Sequence, residues 1–165
     1  MISDKNTYEV MVYIEISKNS HIKYEYDENL NALICDRVLP TPFYFPFNYG
    51  FIPNTLSGDG DTVDAIIYME EELLPSTYIK CKIIGALETI DEKGEDIKII
   101  LVPINKVSFN EANINDITDL PSHFIDKITH FYKHYKDLEQ GKFVKINKLL
   151  NKCDAIIEFE KTLLN

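Results

Sequence analysis

The chain has 165 residues, 45% apolar and 27% charged, the size and composition of one ordinary globular domain with a real core. A formal net charge of −10 excludes the basic stripe of a nucleic-acid binder and any affinity for anionic membrane surfaces. Met1–Asn6 lacks the apolar core of a secretory leader, and no apolar run is long enough to span a bilayer as a helix, so the expectation is a soluble cytoplasmic protein.

From Tyr8 to Ile16 side chains alternate, with Val10, Val12, Ile14 and Ile16 on one face and Glu9, Met11, Tyr13 and Glu15 on the other, which predicts a half-buried strand. The same period recurs at Ile22–Asp27, Ala32–Leu39 and Val63–Tyr68, and in Tyr78–Asp91 and Asp96–Ile104, which Glu92-Lys93-Gly94-Glu95 joins as a hairpin. Between these, Pro40 to Gly50 is an aromatic, proline-rich loop, too costly to expose and too irregular for a strand, and reads as a packed wall. From Asp119 the period changes. Leu120, Phe124, Ile128, Phe131, Tyr132 and Tyr135 recur three or four apart after Pro121, predicting a long amphipathic helix that Gly141 ends. Lys142–Ile146 follows as a short strand, and Cys153, Ile156, Ile157 and Leu164 mark a C-terminal helix.

With no repeats or linkers, residues 1–165 read as one α+β domain, an antiparallel sheet buttressed by two helices. Cys35, Cys81 and Cys153 are odd in number and widely spaced, with no CxxC pair, and read as buried reduced thiols.

The segment Asp59-Gly60-Asp61-Thr62-Val63-Asp64 sets three carboxylates within six residues, ahead of the apolar run Ala65-Ile66-Ile67-Tyr68. Carboxylates that close repel unless a cation sits among them, and an oxygen-rich site suits a hard ion such as Mg²⁺, which completes its shell with water and substrate phosphate. A solvated acidic turn is the plainer alternative. An EF-hand loop is imitated by Asp59, Asp61 and Glu70, but Val63 and Asp64 occupy the positions that need a ligand and a glycine. Elsewhere, period two puts Lys23 with Glu25 and Asp96 with Lys98 on shared faces, and the hairpin is expected to bring Asp91 opposite Asp96 with Gly94 at positive φ. Each pairing could equally be a wet surface ion pair. His134-Tyr135-Lys136-Asp137 lies at the end of the long helix, with Tyr135 toward the core and Lys136 free to reach out. His130 and His134 have the i, i+4 spacing of a zinc site but lack its Glu, and read as a subunit contact or helix face.

Taken in order, Ile14-Glu15-Ile16, Ile22-Lys23-Tyr24-Glu25, Asp36-Arg37, Asn48-Tyr49-Gly50, Asp59-Gly60-Asp61, Asp91 through Lys98 and His134 through Leu138 resemble the soluble family I inorganic pyrophosphatases of the bacterial type, over nearly the whole chain. The resemblance implies a five-stranded antiparallel OB-like β-barrel with two flanking helices, several Mg²⁺ ions per site, and a homohexamer. It also implies hydrolysis of pyrophosphate to two orthophosphates, which drives pyrophosphate-releasing biosynthesis forward. Position by position it makes Asp59, Asp64, Asp91 and Asp96 metal ligands and Asp61 the residue that orients the attacking water and takes its proton. Lys23, Arg37, Tyr49, Lys98, Tyr135 and Lys136 match phosphate-binding positions, and Glu15 and Glu25 match positions that support the ligands from behind.

The residue types suit that chemistry, since carboxylates hold metals, an Arg fork clamps a leaving phosphate and lysines supply point donors. Two positions depart from the family pattern: Thr62 stands where Pro is common, and Phe45 where Tyr is usual. An OB-like nucleic-acid module would share the barrel but not the acidity, and a catalytically dead regulatory domain would have no use for this set of carboxylates and cations.

Overall fold

The computed structural model describes residues 7–165, so the reading of Met1–Asn6 as no leader lies outside the described residues. Eight strands and two α-helices follow one another among them: β1 Glu9–Ile16, β2 Ile22–Asp27, β3 Ala32–Val38, β4 Asn48–Ile52, β5 Val63–Ile67, β6 Tyr78–Asp91, β7 Gly94–Pro103, α1 Ser122–His134, β8 Val144–Asn151 and α2 Lys152–Glu160. A 3₁₀ turn at Ile117–Asp119 precedes α1. This is the α+β layout that the switch from period two to period three and a half predicts.

Strands β1, β4, β5, β7 and β6 are neighbours in that order, and β6 returns to pair with β1, so five strands form a closed hydrogen-bonded circuit. The sixth, β8, adds to β6 beyond the stretch that β1 occupies. The expected antiparallel sheet is corrected at one joint, where β5 and β7 run parallel with Asp64 opposite Lys98 and Ile67 opposite Leu101. Parallel neighbours need a long crossover, and β6, running between them in sequence, supplies it. Gly50 is required where β4 meets β1, since a Cβ there would lie 1.8 Å from the Tyr13 carbonyl oxygen.

The circuit is buried on both faces. One cluster takes Val12, Ile14, Ala65, Ile67, Ile99 and Leu101 with Phe159 of α2, and the other takes Ile16, Ile66, Ile100 and Val102 with Phe124, Ile128, Phe131 and Tyr132 of α1. That is why the stretches Ala65–Ile67 of β5 and Ile99–Val102 of β7 are apolar without alternation, and why the second half of β1, Val12 to Ile16, is buried throughout.

Several boundaries differ from expectation. The predicted wall gives way to β4 at Asn48, where Phe45 and Phe47 pack on Phe131 at 4.9 and 5.7 Å between ring centroids. Helix α1 ends at His134 instead of Gly141, because the next residues close i→i+3 turns, Asp137 N–H to the His134 carbonyl and Glu139 N–H to that of Lys136. Of the cysteines only Cys81 is buried; Cys35, on the open β2–β3 hairpin, and Cys153, in the first turn of α2, are exposed. Among the described residues no helix is long and apolar enough to cross a membrane.

Candidate active site

The loop between β4 and β5 carries the acidic segment. Asp61 N–H donates to Asp59 Oδ1 at 3.0 Å and Gly60 N–H to the Ser57 carbonyl, with Gly60 at φ +88°, a conformation that suits glycine at this tight turn. The loop leaves Asp61 at the rim, its side chain 66% exposed and within 3.7 Å of Lys93 only at its outer oxygen. Asp64 follows in β5, where the parallel register sets it beside Lys98 of β7.

Lys98 is the hub. Its Nζ donates to Asp64 Oδ2 and to Asp96 Oδ2, each at 2.8 Å, and lies 4.9 Å from the Tyr132 ring centroid and 5.8 Å from that of Tyr49. Burial alone would discharge this lysine, but Asp64 and Asp96 outweigh it and hold the ammonium well above the ordinary lysine range. Asp96 is as buried as Lys98, and burial pushes its carboxyl up against the pull of Lys98, with repulsion from Asp64 and Asp59 added. One ammonium thus faces two carboxylates, with a third nearby.

The hairpin places Asp91 differently from expectation. Asp91 pairs with Gly94 and Thr89 with Asp96, because Gly94 at φ +125° tightens the turn to Glu92-Lys93 and moves Asp96 two residues along the strand. Asp91 instead meets Lys136, whose Nζ lies 3.9 Å from it and 3.3 Å from Glu92. Lys136 therefore does not reach out to solvent: the turns after α1 fold it back to 9% exposure beneath the hairpin. Tyr135 is buried as predicted, stacked on Phe131 at 5.0 Å and 12°.

The β2–β3 hairpin is a separate two-stranded sheet that sets Lys23 opposite Arg37. Lys23 Nζ pairs with Glu25 at 2.7 Å and Asp36 at 3.5 Å, and Arg37 pairs with Asp36 at 3.0 Å and, through Nε, with Glu139 at 2.9 Å. Glu15, in β1, accepts the Tyr26 N–H at 2.8 Å and so ties this hairpin to the main sheet. Burial pushes the Glu15 carboxyl up to about 7, over the opposing effect of that hydrogen bond and with help from Asp64. Asp59 is likewise raised, by burial first and then by Asp64, Asp61 and Asp91.

Contacts thus link Asp64, Asp96, Lys98 and Tyr49 into one group, Asp91 and Lys136 into a second, and Lys23, Glu25 and Arg37 into a third. Four partners escaped the sequence reading: Glu139 on Arg37, Glu92 on Lys136, Lys93 on Asp61 and Tyr132 over Lys98. The anion that any buried Arg or Lys demands was foreseeable as a type of residue, but not its address, because each partner arrives from a part of the chain distant in sequence.

The donor set fits a divalent cation. Asp96 Oδ1 is buried and makes no hydrogen bond, and beyond burial the charge of Asp59 is disfavoured by Asp64 and Asp91 and that of Asp96 by Asp64 and Asp59. Among the described residues no three acidic or imidazole side chains converge tightly enough to cage an ion, since lysine ammonium groups lie on the carboxylates instead. The lysines meet the same demand for positive charge that a metal would.

An acidic loop, a buried lysine hub and a hairpin carrying Lys23 and Arg37 define an enzyme that handles a small phosphate-bearing anion with cationic help. The chain belongs to the inorganic pyrophosphatase family, whose sequence model, described as inorganic pyrophosphatase, matches residues 12–164. The inorganic pyrophosphatase of Saccharolobus solfataricus is 50% identical over 139 residues, 84% of this chain and 81% of that protein. Among solved structures, the inorganic pyrophosphatase of Helicobacter pylori superposes with a TM-score of 0.91 at 45% identity, covering 93% of this chain and 91% of its own. That of Thermus thermophilus also gives 0.91, at 37% identity, covering 98% and 93%. The protein is accordingly a hydrolase that splits inorganic pyrophosphate into two orthophosphates, in a family that uses divalent metal ions.

Proposed function

We propose that Asp59, Asp64, Asp91 and Asp96 hold Mg²⁺, several ions per site, and that Asp61 is the general base of pyrophosphate hydrolysis. The observation that carries this reading is the Lys98 ammonium shared between Asp64 and Asp96 while Asp96 Oδ1 has no partner, a charge deficit built into the centre of the site. Bound Mg²⁺ would lower the pKa of the attacking water and draw charge from the phosphoryl oxygens. Asp61, exposed at the rim and held by its own backbone to Asp59, is free to orient that water and accept its proton. Arg37 presents a planar fork, and Lys23, Lys98, Lys136, Tyr49 and Tyr135 present donors, to the two phosphates as charge moves to the leaving group. Glu15 and Glu25 act behind them, Glu15 by fastening the β2–β3 hairpin and Glu25 by aiming Lys23.

The same reading takes the closed circuit of strands as an OB-like barrel and residues 1–165 as a single domain, and expects a cytoplasmic homohexamer that binds neither nucleic acid nor membrane. The net charge of −10 supports the last point. The exposed His130, His134 and Asp137 face, with the two imidazole ring centroids 4.8 Å apart, is the contact between subunits in this reading.

Phosphate release from pyrophosphate, with Mg²⁺ and then with excess chelator, is the direct test. Hydrolysis should require Mg²⁺ and be opposed by Ca²⁺, which takes more ligands at longer distance. Activity unchanged in chelator would remove the metal from the mechanism.

A further inference from the structure

The root of the acidic loop is fastened to the far end of the chain. Thr55 is 2% exposed, and its Oγ1 donates to the Ile52 carbonyl at 2.6 Å while accepting the Val63 N–H at 2.9 Å. One hydroxyl therefore clamps the last residue of β4 to the first residue of β5, and the segment carrying Asp59 and Asp61 lies between them.

Thr55 is itself strapped down. Its backbone bridges Leu163, the Leu56 N–H donates to the Thr162 carbonyl at 2.8 Å, and the Leu164 N–H donates to the Asn54 carbonyl at 3.0 Å. Thr162 in turn donates through its hydroxyl to the carbonyl of Phe159, a fully buried core residue of α2, at 2.6 Å. Beyond Leu56, Ser57 N–H donates to the Asp61 carbonyl at 2.7 Å. A continuous path of hydrogen bonds thus runs from the core through residues 162–164 and 54–57 to the proposed base.

The strap adds little to the core, since Leu163 is 44% and Leu164 55% exposed. Its backbone bonds serve geometry instead. Asn54 at φ +61° departs from strand conformation and Leu56 is half exposed, so the contacts of Asn54 and Leu56 with the strap are backbone bonds and not packed side chains. A displacement of about 1 Å in a catalytic group can cost on the order of 10²-fold in rate.

We infer that Thr55 is a positioning residue for the acidic loop and that Thr162–Leu164 is the strap that holds it, so that loosening either lowers metal affinity and turnover without touching a ligand. This rests on the roles proposed above for Asp59 and Asp61. The test compares Thr55→Val, which deletes the hydroxyl, with Thr55→Ser, which keeps it, and Leu164→Pro, which deletes the N–H donor, with Leu164→Ala, which keeps it. Cys81→Ala, in the core away from the loop, supplies the effect of lost stability alone.

In metal-free protein, Thr55→Val and Leu164→Pro should speed amide hydrogen exchange at Ser57 and Gly60 by about tenfold or more while sparing β6 and β7. The same two variants should raise the Mg²⁺ concentration for half-maximal hydrolysis by at least about threefold, with Thr55→Ser and Leu164→Ala within about twofold of wild type. Loop exchange that is unchanged, or matched by Cys81→Ala at equal loss of stability, overturns the strap, and Leu164→Pro decides this should Thr55→Val not fold. Faster loop exchange with an unaltered Mg²⁺ requirement overturns the positioning role. The exchange measurement uses neither metal nor substrate, so a wild type that failed to hydrolyse pyrophosphate would strike the catalytic reading and leave the strap standing.

Discussion

Replacing Lys98 by Met probes the charge balance at the centre of the site. Met keeps much of the length and volume but leaves Asp64 and Asp96, each 2.8 Å from the lost ammonium, to face one another. Removing one partner of a buried pair costs about 3–5 kcal/mol, and because the Asp64 side chain is 21% exposed the lower end applies here. For a chain of this size a loss of roughly 3 kcal/mol lowers Tm by about 6–12 °C. Thermal unfolding in chelator at pH 8 should show that drop, and at pH 5 part of it should vanish as one carboxylate takes a proton. Mg²⁺ should also recover stability more strongly in the variant than in wild type, while kcat falls for want of a phosphate donor. A variant as stable as wild type at pH 8 in chelator would refute the charge balance drawn for these three residues.

Glu15→Gln should flatten the pH dependence of the metal-free protein. The folded carboxyl is raised from 4.5 to about 7, so the stability it contributes is full below pH 4.5 and is lost as pH rises through 7, up to about 3 kcal/mol, which urea midpoints across that window would register. Asp64→Asn should weaken Mg²⁺ binding and activity together, whereas Asp61→Asn should lower turnover by about 10²-fold with most metal affinity kept; identical titration curves and residual rates for the two would undo the role assignments. Phe45→Tyr puts a hydroxyl among the rings of Phe47, Tyr49 and Phe131, where Phe45 is 2% exposed, so it should cost about 1–2 kcal/mol in a denaturant titration and change kcat/KM by less than about tenfold. A loss of several orders of magnitude at saturating Mg²⁺ would mean that this wall touches substrate directly.

Tyr44 and Phe45 show how far local pattern reaches. An extended chain sets neighbouring side chains on opposite sides, and the structure has Phe45 buried and Tyr44 58% exposed against His21. The strands β1, β2, β3, β6 and β7 and the α1 face of Phe124, Ile128, Phe131 and Tyr132 were legible for the same reason, because side-chain period is a property of neighbours in the chain. The positive φ of Gly94 was legible too, since only its backbone demands it.

What the chain could not state locally is which distant groups meet. The amino-acid order determined the acidic loop, the basic positions and the succession of elements, and through the resemblance of those spaced motifs it pointed to the family. Tertiary structure decided that β5 and β7 run parallel, which is what puts Asp64 beside Lys98. It also decided that Asp91 meets Lys136 instead of Asp96, that Glu139 holds Arg37, and that the last residues fasten the loop of Asp59 and Asp61. Strand direction, hairpin register and the folding back of a helix end are settled by burying the most apolar surface with every backbone bond made, a condition on the whole chain at once and on no segment of it alone.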